Sequence, residues 1–170
     1  MDADTYQAEL LKIVDEAIDH LKGAADFELY SLSIWTDVGA GASSVSADSF
    51  ANSERVQEDD RRWMENLKAR MLAMGETRFF QEGRSSTTPS RNTEPADFLL
   101  PNITSVDHTL WVMDSEEDLD LCKQVERVLA LARDHAASRC KAELLCHPDA
   151  EVAISSREGW YDLPVRIFDR

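Results

Sequence analysis

Apolar residues recur at helical spacing in three segments of the chain. In residues 4–22 they lie three and four positions apart, which predicts an amphipathic helix that ends at Gly23. A second helix is expected over residues 54–74. A third is expected from about 115 to 138, or with a kink to 145. The apolar stripe of the second helix consists of Trp63, Leu67, Met71 and Met74.

The clearest strand covers residues 27–36, in which Tyr30, Leu32 and Ile34 are expected to share a buried face. It leads into a Gly-Ala-Gly sequence at 39–41 and a series of small polar residues. A dinucleotide-binding turn would need a further glycine or alanine three positions later and a helix directly behind it. The chain has a serine there and no helix start, so we interpret the glycines as a connection between strands.

Shorter strands are expected within residues 43–56 and at 109–113, and the chain closes on a hairpin of 151–155 and 163–168. A Ser/Thr/Pro-rich loop at about 83–101 separates the second helix from the later elements, because prolines interrupt it and nothing in it is periodic. This order predicts one α+β domain over all 170 residues. It would be a mainly antiparallel sheet of short strands with about three helices packed on it.

The net negative charge of the chain favours a basic partner over nucleic acid. The chain has 18 Lys and Arg against 33 Asp and Glu, a formal net charge of -15. Such a chain repels nucleic acid and attracts a basic protein partner. The beginning of the chain is acidic rather than typical of a leader, and no apolar run is long enough for a membrane span. Together with an odd number of cysteines, these features predict a cytoplasmic protein with free thiols.

One group of residues could be read as a metal site. Cys140, Cys146 and His147 are close in sequence, but structural zinc normally uses pairs with shorter spacing, such as C-x2-C. Buried cysteine is the more common role for such residues. We therefore expect no metal and no cofactor.

The densest acidic run places five acids in seven positions. A calcium loop would need glycine at the sixth position, where Leu119 stands. The run can be the start of a helix, where acids interact well with the dipole. It can also be a negative patch that meets a basic surface. The five acids are Asp114, Glu116, Glu117, Asp118 and Asp120.

The aromatic residues add a second group of candidates. Trp35, Trp63 and Trp111 are dispersed and are expected in the core or at the boundary of the sheet. Trp160 and Tyr161 lie beside a glycine turn, where they could act as interface anchors, since aromatic residues are enriched at binding hot spots.

Four stretches together resemble a bacterial family. They are "FELYSLSIWTDVG", "ADSFANSERV", the tryptophan-bearing helix after it, and the closing "VRIFD". The pattern resembles the family catalogued as domain of unknown function four-three-zero-three, whose members resemble immunity proteins found beside polymorphic toxins. The resemblance implies a protein that binds and neutralises a cognate secreted toxin. It implies no catalytic residues.

The residues alone leave two alternatives open. One is a small cytoplasmic enzyme whose site is assembled from scattered residues such as Asp107, His108 and Cys122. The other is a homodimeric structural protein. Neither is favoured by spacing, so a non-enzymatic, toxin-binding immunity protein is the leading expectation, with homodimer formation compatible with it.

Overall fold

The computed structural model describes residues 3–24, 26–37, 40–76, 91–108, 119–156 and 162–168, except for the side chains at 119–122, 156 and 162. Three long helices and five strands are interspersed along the described residues, and the predicted α+β class is confirmed. A short 3-10 helix, Pro95–Asp97, precedes the third strand. The other elements are α1 (Ala3–Gly23), β1 (Leu29–Asp37), β2 (Ala42–Ser49), α2 (Phe50–Ala73), β3 (Leu100–Asp107), α3 (Leu119–Glu143), β4 (Cys146–Ser156) and β5 (Asp162–Arg166).

These strands form one mixed sheet in the order β3-β2-β1-β4-β5. The pairs β1–β2, β2–β3 and β4–β5 are antiparallel, whereas β1 and β4 are parallel. The closing hairpin predicted from sequence is therefore confirmed as β4 and β5. The parallel pair requires a long crossover, which contains α3.

The core lies between the sheet and the two helices α1 and α3. Asp15 of α1 pairs with Arg139 of α3, and Lys22, later in α1, pairs with Glu143, later in α3. The two helices therefore run parallel. The predicted apolar face of α1 is confirmed. Its buried members are Tyr6, Leu10, Ile13, Val14, Ala17, Ile18 and Leu21.

The pairing of β1 with both neighbours is irregular between Leu29 and Ser31. An irregularity of this kind interrupts the alternation of side chains between the two faces of a sheet. Leu29 consequently joins Leu32 and Ile34 in the core, whereas Tyr30 packs outside it. The prediction that Tyr30 shares the face of Leu32 and Ile34 was wrong for this reason.

The second helix differs from its prediction in both its start and its packing. It begins at Phe50 rather than 54, because the Ser49 hydroxyl caps it by accepting from the backbone N–H of Asn52 at 3.2 Å. Asn52 and Ser53 are the residues of α2 that are buried. Trp63, expected in the core or at the sheet boundary, is 62% exposed, so that prediction was wrong.

The remaining elements also differ from prediction. Strand β3 covers Leu100–Asp107, where no strand was predicted, and its Pro101, expected at the end of the loop, is tolerated because β3 is an edge strand. Helix α3 takes the longer of its two predicted ends, and β4 starts five residues earlier than 151. The strand predicted at 109–113, which contains Trp111, lies outside the described residues, as do residues 77–90 in the region of the predicted loop.

Candidate functional site

Most of the predicted partner-binding residues lie outside the described part of the chain. Asp120 belongs to the first turn of α3, although its side chain is not described. The described residues around the start of α3 form the candidate site. The candidates outside the described residues are Asp114, Glu116, Glu117, Asp118, Trp160 and Tyr161.

Four elements meet at the end of the fold where α3 begins. In the sheet, Ala42 pairs with Asp37 on one side and with Asp107 on the other. Helix α1 starts at the same end, because the Tyr6 hydroxyl lies 3.3 Å from the Thr36 hydroxyl near the end of β1. Since α3 runs parallel to α1, its first turn lies at this end too.

Three described acids occupy this end of the fold, and we call Asp4, Asp37 and Asp107 the acidic end. Asp4 and Asp107 are exposed and Asp37 is half-exposed. The Asp37 carboxylate also accepts a hydrogen bond from the backbone N–H of Ala40 at 2.8 Å, which orders the turn into β2. Leu119, which begins α3 here, directly follows Asp118 in sequence, and the residues of the acidic run before Leu119 lie outside the described residues.

A buried chain of hydrogen bonds lies beneath the acidic end. Glu9 Oε2 is 2.7 Å from His108 Nδ1, and His108 Nε2 is 2.9 Å from the Ser43 hydroxyl. That hydroxyl is in turn 2.9 Å from the hydroxyl of Thr36. The ring of Tyr6 meets the His108 ring edge-on, with centroids 5.0 Å apart. The chain thus joins α1, β1, β2 and the residue directly after β3.

The order Ser43, His108, Glu9 is that of a nucleophile, a base and an orienting acid. A working triad, however, needs a nucleophile that a substrate can reach. Ser43 is 1% exposed and His108 3% exposed, so neither is accessible to a substrate in this structure. The arrangement therefore fixes elements in place. Of the enzyme candidates chosen from sequence, His108 belongs to it and Asp107 is exposed, while the side chain of Cys122 lies outside the described residues.

A second polar cluster, which sequence reasoning missed, lies at the opposite end of β2. Asp48 is fully buried, and its carboxylate accepts from the side-chain amide of Asn52 at 2.7 Å and from the backbone N–H of Leu99 at 3.1 Å. Burial raises the pKa of Asp48, and these hydrogen bonds partly oppose that effect. The cluster fastens the first turn of α2 and the segment before β3 to the sheet.

Arg91 is a third buried polar residue, and no sequence signal pointed to it. Its guanidinium donates to the carbonyls of Tyr30 at 2.9 Å and Asp149 at 2.6 Å, and pairs with Glu151 at 3.0 Å. It also lies 4.1 Å from the centre of the Tyr30 ring. Buried charges need such complete pairing. Arg91 therefore anchors its segment across the ends of β1 and β4.

The cysteine and histidine group does not have the geometry of a metal site. His147 stacks on Phe50 with centroids 4.7 Å apart, and the Cys146 thiol donates to the Cys140 carbonyl at 3.5 Å. Burial raises the pKa of Cys140, and it raises the pKa of Cys146 to about 11, which disfavours the thiolate that metals bind. Within the described ranges, no three His, Cys, Asp or Glu side chains are placed to hold an ion together.

Known proteins do not supply a function for this chain. No family model, curated protein or solved structure matches it. Among the described residues, none of the helices combines the length and the apolar character needed to cross a membrane. A functional proposal must therefore depend on the charge, geometry and exposure of the chain's own residues.

Proposed function

We propose that the protein is an immunity-type binding protein that neutralises a cognate secreted bacterial toxin in the cytoplasm. The acidic end would cover a basic active site of the toxin. The observation that carries this proposal is the meeting of Asp4, Asp37 and Asp107 at the end of the fold where the acidic run joins α3. Acids that are distant in sequence are thereby collected on one surface.

Electrostatics support a basic partner for this surface. The net charge of -15 produces a field that speeds encounter with a positively charged protein. A toxin that cuts nucleic acid has a basic cleft for the phosphate backbone, and carboxylates can occupy such a cleft in place of phosphates. Helices α1 and α3 both begin at this end, and helix N-termini stabilise acids held beside them.

The buried chain beneath the acidic end supports binding rather than catalysis. It holds α1, β2 and the end of β3 in one arrangement through Glu9, His108 and Ser43. A surface ordered before binding loses less conformational entropy when the partner arrives. The same residues have no exposed nucleophile, which speaks against the enzyme alternative.

Co-expression with the toxin domain encoded by the adjacent gene tests the proposal. We expect the protein to restore growth and to co-purify with the toxin. A wild-type protein that is folded and soluble but neither protects nor co-purifies would remove the proposal.

Charge-reversed variants test the surface separately. One variant carries Asp37→Lys and Asp107→Lys; a second reverses all five acids of the run from Asp114 to Asp120. Each should slow association with the toxin at least about tenfold at low salt, and less at high salt. Glu65→Lys, on α2, is the matched control and should bind normally. Normal binding by both reversed variants would show that neither set of acids contributes to toxin binding.

A further inference from the structure

Helix α2 leaves a stripe of large apolar side chains uncovered. Trp63 is 62% exposed and Met74 66% exposed, while Val56, Leu67 and Met71 are half-exposed. These positions are separated by seven, four, four and three residues, so they follow one face of the helix. Contiguous exposed apolar patches of this kind mark interaction surfaces.

Burial of α2 is confined to its first turn. Its 24 residues span about 36 Å, yet its buried residues, Asn52 and Ser53, belong to the first turn. Helical stability in proteins comes mostly from packing of the apolar face. The ion pairs Arg55–Asp59 and Arg62–Glu58 within α2 are exposed and contribute only tenths of a kcal/mol each. A cover for the stripe is therefore expected.

The charges of α2 indicate what that cover is. Although the whole chain carries -15, α2 is neutral, because its five acids equal its five bases. The two signs are separated along the helix. The first half holds Glu54, Arg55, Glu58, Asp59 and Asp60, and the second half holds Arg61, Arg62, Glu65, Lys68 and Arg70.

We propose that α2 pairs antiparallel with α2 of a second copy of this chain, crossing near residue 65. Each acidic half would then lie against the basic half of the other copy. A crossing at this position brings Trp63 level with Leu67 of the second copy and Val56 level with Met74. A parallel pair would instead place acidic half against acidic half.

One pair of charges is decisive for this arrangement. Antiparallel pairing brings Asp60 of one copy level with Arg70 of the other. Among the residues that the structure describes, neither has an ion-pair partner. Asp60 also lies near Glu94, whose pKa is raised by partial burial and then by the charges of Asp97 and Asp60. A cation from the second copy would offset this concentration of negative charge.

The self-association surface and the acidic end lie at different places in the fold. Helix α2 leaves the sheet after Ser49, whereas the acidic end surrounds Ala42 at the other end of β2. A dimer through α2 would therefore leave the acidic ends of both copies accessible. The inference does not depend on the toxin-binding proposal, and its test contains no toxin.

Sedimentation velocity of two charge variants tests the antiparallel pairing. Asp60→Arg places like positive charges level with each other, and Arg70→Asp does the same with negative charges. Each variant alone should dimerise at least about tenfold more weakly than the wild type. An equimolar mixture of the two should regain dimers, because both pairs are then of opposite sign.

Two further variants keep the test specific. Glu65→Arg makes the same charge change as Asp60→Arg, but position 65 lies on the opposite side of the helix from Trp63 and Leu67, so dimers should persist. Trp63→Ala should abolish them, with circular dichroism confirming that the chain is folded. A wild type that stays monomeric at its highest soluble concentration would overturn the inference. A mixture no more associated than its separate components would also overturn it.

Discussion

Helices α1 and α2 both carry an apolar stripe, but α1 buries its stripe and α2 exposes much of its own. They have 21 and 24 residues, and both carry apolar side chains three and four positions apart. Helix α1 buries its stripe completely against the sheet, whereas α2 exposes Trp63 and Met74. An apolar stripe thus shows that a helix needs a partner, without showing whether that partner belongs to the same chain.

The difference between the stripes lies in their charged neighbours. The face of α1 is continuous from Leu10 to Leu21, and its acids and bases lie to the side, where Asp15 pairs with Arg139 of α3. On α2 the stripe is flanked by Asp60 and Arg70. Flanking charges of both signs are typical of a face that chooses a partner by electrostatics as well as by packing.

The largest expected effect comes from truncating one leucine in each helix. Leu10→Ala in α1 removes a fully buried side chain and should lower the free energy of unfolding by about 2–5 kcal/mol. Leu72→Ala in α2, at a site 49% exposed, should change it by less than about 0.5 kcal/mol. Urea unfolding at low protein concentration measures both. Equal losses would mean that α2 is packed as firmly as α1.

An intermediate effect is expected at the place where α2 is fastened to the sheet. Asp48→Ala removes the acceptor of the Leu99 N–H and one of the two acceptors of the Asn52 side-chain amide, which also donates to the Asp97 carbonyl. The expected loss is about 1–3 kcal/mol of unfolding free energy. Glu54→Ala, which changes an exposed acid just after the first turn of α2, is the control and should stay within about 0.5 kcal/mol. A neutral Asp48→Ala would show that the cluster does not hold α2.

The smallest expected effect concerns the ion pairs between α1 and α3. Hydrogen bonds from Arg139 and then Lys22 lower the pKa of Glu143 to about 2. Burial alone would raise the pKa of Asp15, but the hydrogen bonds from His135 and Arg139 together outweigh it, so the pKa of Asp15 is lowered as well. A lowered pKa adds stability above the ordinary carboxyl pKa and loses it as pH falls. The advantage of the wild type over Arg139→Gln should therefore shrink between pH 4.5 and pH 2.

Urea midpoints across that pH range measure the difference. The effect should be small because water screens these partly exposed pairs. A difference between the two proteins that is independent of pH would contradict the assignment. Lys12→Gln, which removes an exposed pair with Glu16 on α1 alone, is the matched control.

Local patterns predict α1, β1 and the closing hairpin well, because three-and-four spacing and alternation are properties of neighbouring residues. The start of α2 is also a local property, since Ser49 caps it, although the charges near 54 indicate a later start. The group of Glu9, Ser43 and His108 is not predictable in this way. Ser43 and Glu9 are 65 and 99 positions from His108, so only the fold brings them together.

Local sequence patterns also fail to predict which residues form the candidate site. The acidic run is visible as a cluster in sequence, but Asp37 and Asp107 come close to each other only because both pair with Ala42 in the sheet. The prolines around Arg91 predict a loop, yet Arg91 is buried through contacts with β1 and β4. Strand pairing and contacts between residues distant in sequence determine which polar side chains lie together. The spacing of neighbouring residues does not predict these contacts.

Hydrogen exchange of the amides of α1 and α2 at increasing protein concentration tests the central comparison most directly. Protection of α1 should be the same at every concentration, because its partner is the sheet of its own chain. Protection of residues 60–73 in α2 should rise with concentration, because its partner is a second copy. Protection of α2 that equals that of α1 in the most dilute sample, or that never rises, would contradict a partner outside the chain.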